Sequence, residues 1–546
     1  MLSDLMRRKS LDEILAAPED GHGPRLRRHL SAASLTMLGI GAVIGAGIFS
    51  AVGTAAAGGA DHLGAGPALI VSFVLTAIAC GFAALCYAEL ASMVPIAGSA
   101  YTYSYATLGE LVAWIIGWDL IIEYAVGNIG VAIGWSGHFR ELLEFFGIHI
   151  PAWLATDYRS ASLAAAAAAG GAADAGTQYL ASAMTLAPRL AGVPIIFNLP
   201  AFLAVALITM ILIRGVKESA DSNNVMVLLK VGLILFFIAV GAFLIRPENW
   251  TNPVDGGFMP NGWAGVSAGA AIIFFSYIGF DAVSTAAEEA KNPAKDMPFG
   301  IIMSLVICTV LYIALSAVMT GIAPWKALGT AEPMLTALEF ANGPAWLLNA
   351  SRFIIALGAV IAMFSVLLVF QMGQPRIFFS MARDGLLPPF IAKVHPRFKT
   401  PYVGTLITGL FVGTFAATAN IAEVVDLTNI GTLFAFVLVS LGVIVLRYKE
   451  PERVRPFRVP WVPFTPMISV VACLYLMLQL PCLTWRRFSW WLLAGLLIYF
   501  LYGAFHSRLR NPDGKARFKM PWLPLAGIVV AGLLLHFVVF NSARCG

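Results

Sequence analysis

Charge is what this sequence has least of. Only 12% of its 546 residues are Asp, Glu, Lys or Arg, against roughly 25% in average soluble domains. So few charges cannot cover the surface of a soluble protein of this length. An apolar content of 59% excludes intrinsic disorder. Cysteine is scarce as well. Six cysteines are too few for a disulfide scaffold, and none stands at metal-ligand spacing. Cys80, Cys86, Cys308 and Cys473 fall inside apolar runs, where cysteine acts as a small buried residue. The 51 glycines follow no three-residue period, so the chain is not collagen-like. There is no phosphate loop, no His or Cys cluster and no repeated filter segment. Nucleotide enzymes, metalloenzymes and channels therefore find no support, and no cofactor or metal is expected. His138 and His149 read as ordinary residues near the outer surface. The net charge of +5 does not point to nucleic acid, because the basic residues sit in short clusters between apolar runs. The N-terminus is polar and charged, unlike a cleavable signal peptide.

What is present is a series of apolar runs. A bilayer core of about 30 Å takes roughly 20 helical residues. Spans are expected near 31–57, 68–94, 110–139, 198–214, 222–245, 262–287, 299–323, 347–373, 402–420, 424–447, 463–481, 488–506 and 522–541. The fold class is thus an all-α polytopic membrane protein. With the N-terminus inside, 25 of the 35 basic residues fall in inner segments, nine in outer ones, and Lys230 inside a span. That asymmetry orients the chain with its N-terminus in the cytoplasm, in a cell inner (plasma) membrane. The tail covers residues 1–30. Segment 155–191 holds an alanine tract broken by Gly170, Gly171, Asp174 and Gln178. It is expected to be an extended external loop, with room for one short surface helix.

Two spans carry backbone-freeing residues at their centres. Gly39, Gly41, Gly45 and Gly47 fall within nine residues of span 1. Each costs about 0.8–1 kcal/mol against alanine in a helix. Close helix packing through small residues is the plainer reading. Span 6 reads Phe274-Phe275-Ser276-Tyr277-Ile278-Gly279-Phe280-Asp281, with an ionisable residue at mid-membrane depth. Spans 1 and 6 would be the leading helices of two inverted five-helix repeats. Interrupted segments at corresponding positions point to a transporter site. Freed amides after the first break suit a carboxylate. Freed carbonyls in span 6 suit an ammonium group. Together they would hold the two ends of an amino acid.

These residues carry a resemblance. Thr36-Met-Leu-Gly-Ile-Gly-Ala-Val-Ile-Gly-Ala-Gly-Ile-Phe49 is joined by Tyr87-Ala-Glu-Leu90 and by Pro95-Ile-Ala-Gly-Ser-Ala-Tyr101. Gly279-Phe280-Asp281 precedes Glu288-Glu289, Asn292-Pro293 and Pro298, and Met381-Ala-Arg-Asp-Gly-Leu-Leu-Pro388 follows span 8. Over nearly its whole length the chain resembles the amino acid–polyamine–organocation superfamily, near the bacterial cationic amino acid transporter group. The resemblance implies a ten-helix core over 31–447, with repeats 31–245 (external loop 140–197) and 262–447. Additional helices would occupy 448–546, about three in number. It implies substrate against Ile44, Gly45, Ala46, Gly47 and Ile48, and against Phe275, Ser276, Tyr277 and Ile278. Many relatives carry a hydroxyl where this chain has Ala46, which leaves backbone amides to bind the carboxylate.

Lys230 lies too deep in span 5 to snorkel easily to either interface. The resemblance implies that it takes the place of sodium, ties span 5 to spans 1 and 8, and serves proton coupling. Glu123 follows Asp119 by four residues on one helical face. It lines the substrate pocket or has a structural role. Asp281 orders the unwound part of span 6 or touches substrate. Glu89, Glu288 and Glu289 sit at inner ends, suited to a gate or to salt bridges with loop lysines. Met363 of span 8 is a pocket wall or ordinary packing. The expected function is secondary active transport of cationic or small neutral L-amino acids, proton-coupled and sodium-independent, with the substrate, protons and the bilayer as partners. Exchange, or an amino-acid sensor built on the same motifs, stays open.

Overall fold

The computed structural model describes residues 7–9, 30–59, 62–94, 99–170, 175–215, 220–252 and 256–509. The expected span at 522–541 and the Pro95–Gly98 part of the motif lie outside them. The described residues are almost wholly helical. Eight helices are long and apolar enough to cross a membrane, and a ninth forms if the bent pair Ala32–Val43 and Gly47–Ala57 counts as one. Three shorter apolar helices, Leu199–Arg214, Tyr402–Thr418 and Phe464–Leu478, complete the set. These match the first twelve expected spans, in order.

Local chemistry sets where helices start. Ser31 caps span 1 by accepting from the Ser34 amide, and Asn198 caps span 4 by accepting from the Ala201 amide. Asn420 does the same for span 10, Ile421–Lys449. Pro293 opens span 7, Pro293–Ile322, at a position where its missing N–H costs nothing. Small residues let the helices close. A Cβ added to Gly39 of span 1 would meet Ser304 of span 7 at 2.5 Å, and one on Gly409 of span 9 would meet Thr209 of span 4 at 2.2 Å.

Spans 1 and 6 cross in opposite directions. The Leu30 amide donates to Glu289 O at 3.0 Å, and the Lys291 amide to Leu30 O at 2.8 Å. Span 1 therefore starts on the side where span 6 ends. The breaks fall in these two spans, as the sequence implies. The second half of span 6, Phe280–Glu289, is a 3₁₀ stretch rather than an α-helix.

The segment after span 3 overturns the loop expectation. Tyr158–Ala169 and Ala175–Leu186 are two helices packed as a hairpin, followed by a two-residue strand pair, Arg189–Leu190 with Val193–Pro194. Ala161 and Ala183 are buried with Ala152, Ala187 and Ile196 in a small separate core. Alanine is the best helix former, so the tract is a helix and Gly170 marks its end.

Candidate functional site

The backbone of span 1 opens at Ile44. The Ile44 amide is the last to bond back to the first half, reaching Ile40 O at 2.9 Å. The next recorded bonds, from Ile48 and Phe49, return only to Gly45 O. The amides of Gly45, Ala46 and Gly47 lie between the two ladders, and the halves diverge by 43°. Carbonyls freed on the other side of the break are filled from neighbouring spans. Lys230 Nζ donates to Gly41 O at 2.7 Å. The Tyr312 hydroxyl of span 7 donates to Val43 O at 3.0 Å.

Span 6 opens at Ile278, whose backbone is extended, and at Gly279, which sits in the left-handed region at φ +114°. The Asn429 side chain of span 10 donates to Ala271 O at 2.7 Å and Ile272 O at 3.0 Å. The two breaks touch. A Cβ on Gly47 would lie 2.3 Å from Ser276 Cα, and one on Gly279 would lie 2.9 Å from the Ala42 carbonyl. Ser276 Oγ and Ser50 Oγ are buried and make no hydrogen bond. Backbone amides and two hydroxyls thus lie buried together where the breaks meet, groups that a compact polar ligand could pair with.

The expected site residues gather here in different ways. Ile44, Ala46 and Ile48 are fully buried in span 1. Gly45 faces Val366 of span 8, at 3.2 Å from an added Cβ. Met363 lies one turn before Val366 and is buried. The Phe275 ring approaches Gly130 of span 3. Tyr277 points away from the break. Its hydroxyl donates to Phe73 O at 3.2 Å, and its ring packs on Phe73 and Tyr312. It offers the site its backbone, not its phenol. Lys230 reaches span 1 as expected. Its one hydrogen bond is to Gly41, so the expected tie to span 8 is not made by the ammonium group; spans 5 and 8 meet instead where Leu233 packs on Gly358.

Glu123 and Asp281 meet. Glu123 lies in a widened turn of span 3, Ile122–Val126. Its carboxyl lies near that of Asp281, and both residues are buried. Asp119, one turn away, is also buried, and neither of its oxygens has a hydrogen-bond partner.

A profile of the family described as amino acid permease matches residues 30–505, both breaks included. The chain belongs to that family. It is thereby a member of the amino acid–polyamine–organocation superfamily, a transporter and not an enzyme. The permease is 47% identical over 511 residues to a methylthioribose transporter of Bacillus subtilis (strain 168), covering 93% of this chain and 100% of the relative. It is 47% identical over 513 residues to a branched-chain amino acid permease of the same organism, covering 94% and 100%. It is 36% identical over 456 residues to a vacuolar cationic amino acid transporter 4 of Arabidopsis thaliana, covering 83% and 68%.

At the end of span 2, the permease holds Glu89 in a clamp of arginines rather than lysines. Arg447 donates to it twice, at 2.9 and 2.6 Å, Arg455 lies at 3.4 Å, and the Val459 amide donates at 2.7 Å. Glu89 thereby fastens the loop after span 10 to span 2. The side chain of Glu288 lies outside the described residues. His149 is exposed, but His138 is fully buried, bonded through Nδ1 to Gly134 O and edge-on to Phe49. It is not an interfacial residue.

Sequence reasoning missed Tyr312 and Asn429. Their signal was a hydroxyl and an amide inside apolar runs. Nothing local said which broken span they served.

Proposed function

We propose that the permease takes up L-amino acids by alternating access, coupled to protons and independent of sodium. The observation that carries the reading is the meeting of two broken spans with Lys230 seated on the Gly41 carbonyl. The substrate carboxylate binds the Gly45, Ala46 and Gly47 amides, and its ammonium group binds the carbonyls around Phe275 and Ser276. Lys230 supplies the positive charge that a sodium ion would bring to the break. Its proton is the coupled ion. The N-terminus faces the cytoplasm of a cell whose inner (plasma) membrane holds the protein, on the strength of the basic inner segments.

Side-chain class follows from the walls. Ile44, Met363, Val366 and Phe275 are apolar and suit a small neutral side chain. A cationic side chain is accommodated where the buried carboxyls of Glu123 and Asp281 lie near one another. The relatives named for branched-chain and for cationic amino acids are compatible with these two uses of one site.

The test is uptake of a labelled amino-acid panel into proteoliposomes, with and without an inward proton gradient and with internal substrate. A gradient-driven, sodium-insensitive uptake is expected. Uptake that needs internal substrate and ignores the gradient would establish exchange instead. Sodium dependence would overturn the role of Lys230.

A further inference from the structure

Cys80, Cys86, Cys308 and Cys473 are free thiols buried inside spans. Cys482 differs in both respects. It is disulfide-bonded, and it opens span 12 directly after Pro481. With the four buried thiols free, Cys545 is the one cysteine left in the chain to pair with it.

The start of span 12 can be placed. Arg487 lies one turn after Cys482 and pairs at 2.9 Å with Glu423, in the first turn of span 10. Glu423 also pairs with Arg159 of the helical hairpin. Cys482 therefore stands on the hairpin's side of the membrane. Span 12 crosses as Cys482–His506. At its far end the Arg508 amide donates to Asp384 O, after span 8, at 3.0 Å. The sequence there holds Arg508, Arg510, Lys515, Arg517 and Lys519 against a single carboxylate, Asp513. The next segment, 522–541, carries no Asp, Glu, Lys or Arg and is 20 residues long. At about 1.5 Å per residue a helix of that length matches a bilayer core of about 30 Å. Cys545 follows it by four residues. A disulfide needs its two Cα atoms within about 7 Å, so a pair on opposite sides of the membrane cannot bond.

We propose that Cys482 and Cys545 form a disulfide on the outer face of the membrane, and that 522–541 is a thirteenth span held by it beside span 12. The outer placement rests on the orientation proposed above. The bond forms by exchange with a soluble disulfide outside the cell, where such bonds persist. The donor's S–S bond breaks, and its sulfurs are reduced to thiols that take up the two protons. The sulfurs of Cys482 and Cys545 are oxidised and joined. Span 12 passes the tether on to the core. Trp118 of span 3 stacks on Trp491 with ring centroids 4.6 Å apart and donates to Trp491 O at 2.9 Å.

The test needs no substrate. The full chain is treated in whole cells with a membrane-impermeant maleimide carrying polyethylene glycol, so that each accessible thiol shifts the band once. The native chain is expected to stay unshifted until an impermeant phosphine reductant is added, and then to shift twice. Cys482→Ser frees Cys545 and shifts once without reductant, and Cys545→Ser frees Cys482 with the same result. Leu190→Cys, at an exposed position beside the hairpin, is added to the double serine variant to report orientation. Independently of any variant, an unreduced digest of the native chain with its free thiols blocked yields Cys482 and Cys545 in one linked peptide pair by mass spectrometry. A native chain that shifts without reductant, a disulfide-linked dimer on a non-reducing gel, or a digest without the linked pair overturns the bond. Cys482→Ser that stays unshifted while Leu190→Cys labels removes the thirteenth span and leaves the orientation intact. Labelling of Leu190→Cys only in opened cells overturns the orientation and the outer placement together.

Discussion

The two broken spans solve the same problem with opposite polarity. Breaking a helix frees amides on one side of the gap and carbonyls on the other. In span 1 the freed carbonyls at Gly41 and Val43 are occupied by Lys230 and Tyr312, so the amides are what remains. In span 6 Asn429 occupies the carbonyls of Ala271 and Ile272, about two turns before the gap, so those nearer the gap remain. Neighbouring spans thus use up the backbone groups a ligand does not need. What is left is a donor set facing an acceptor set, which is the polarity of an amino acid's two ends.

The contrast can be broken most severely at the contact between the gaps. Gly47→Val places side-chain carbon against the Ser276 backbone, where even a Cβ would lie at 2.3 Å. Overpacking costs reach about 3 kcal/mol, so substrate binding should fall roughly a hundredfold in equilibrium binding measurements. Next comes Lys230→Ala. Binding should weaken by about tenfold or less, the cost of one orphaned carbonyl, but the acceleration of uptake by a proton gradient should vanish. Unchanged gradient-driven uptake would sink the role given to the lysine.

Asn429→Ala acts on span 6 alone. It leaves two buried carbonyls without their donor, and an affinity loss of about tenfold is expected by isothermal titration. The smallest effect is Tyr312→Phe, which keeps the ring and removes one hydroxyl. An affinity loss of about fivefold, near 1 kcal/mol, is expected. If Tyr312→Phe instead matched Lys230→Ala in abolishing gradient-driven uptake, the lysine would be no more than a cap for the break.

Much of this arrangement was legible because it violates local rules. Four glycines within nine residues of one span and a lysine in an apolar run are costly, and costly residues stand out. The partners of the breaks were not legible. Tyr312 and Asn429 are polar residues of a kind that many membrane helices carry, and their bonds join positions more than 150 residues apart. The alanine tract misled for the reverse reason. It looks like filler, yet Ala161 and Ala183 can approach closely because they are small.

The helical hairpin has a consequence for watching this molecule at work. One end is held to span 3 by the stacking of Arg140 on Tyr179. The other is held through Arg159 to Glu423 of span 10, which also accepts from Arg487 of span 12 at 2.9 Å. Two distant parts of the chain, spans 3 and 10, thus anchor one insert. The hairpin is a surveyor's benchmark: a probe fixed to it reports the position of span 1 against spans 3 and 10.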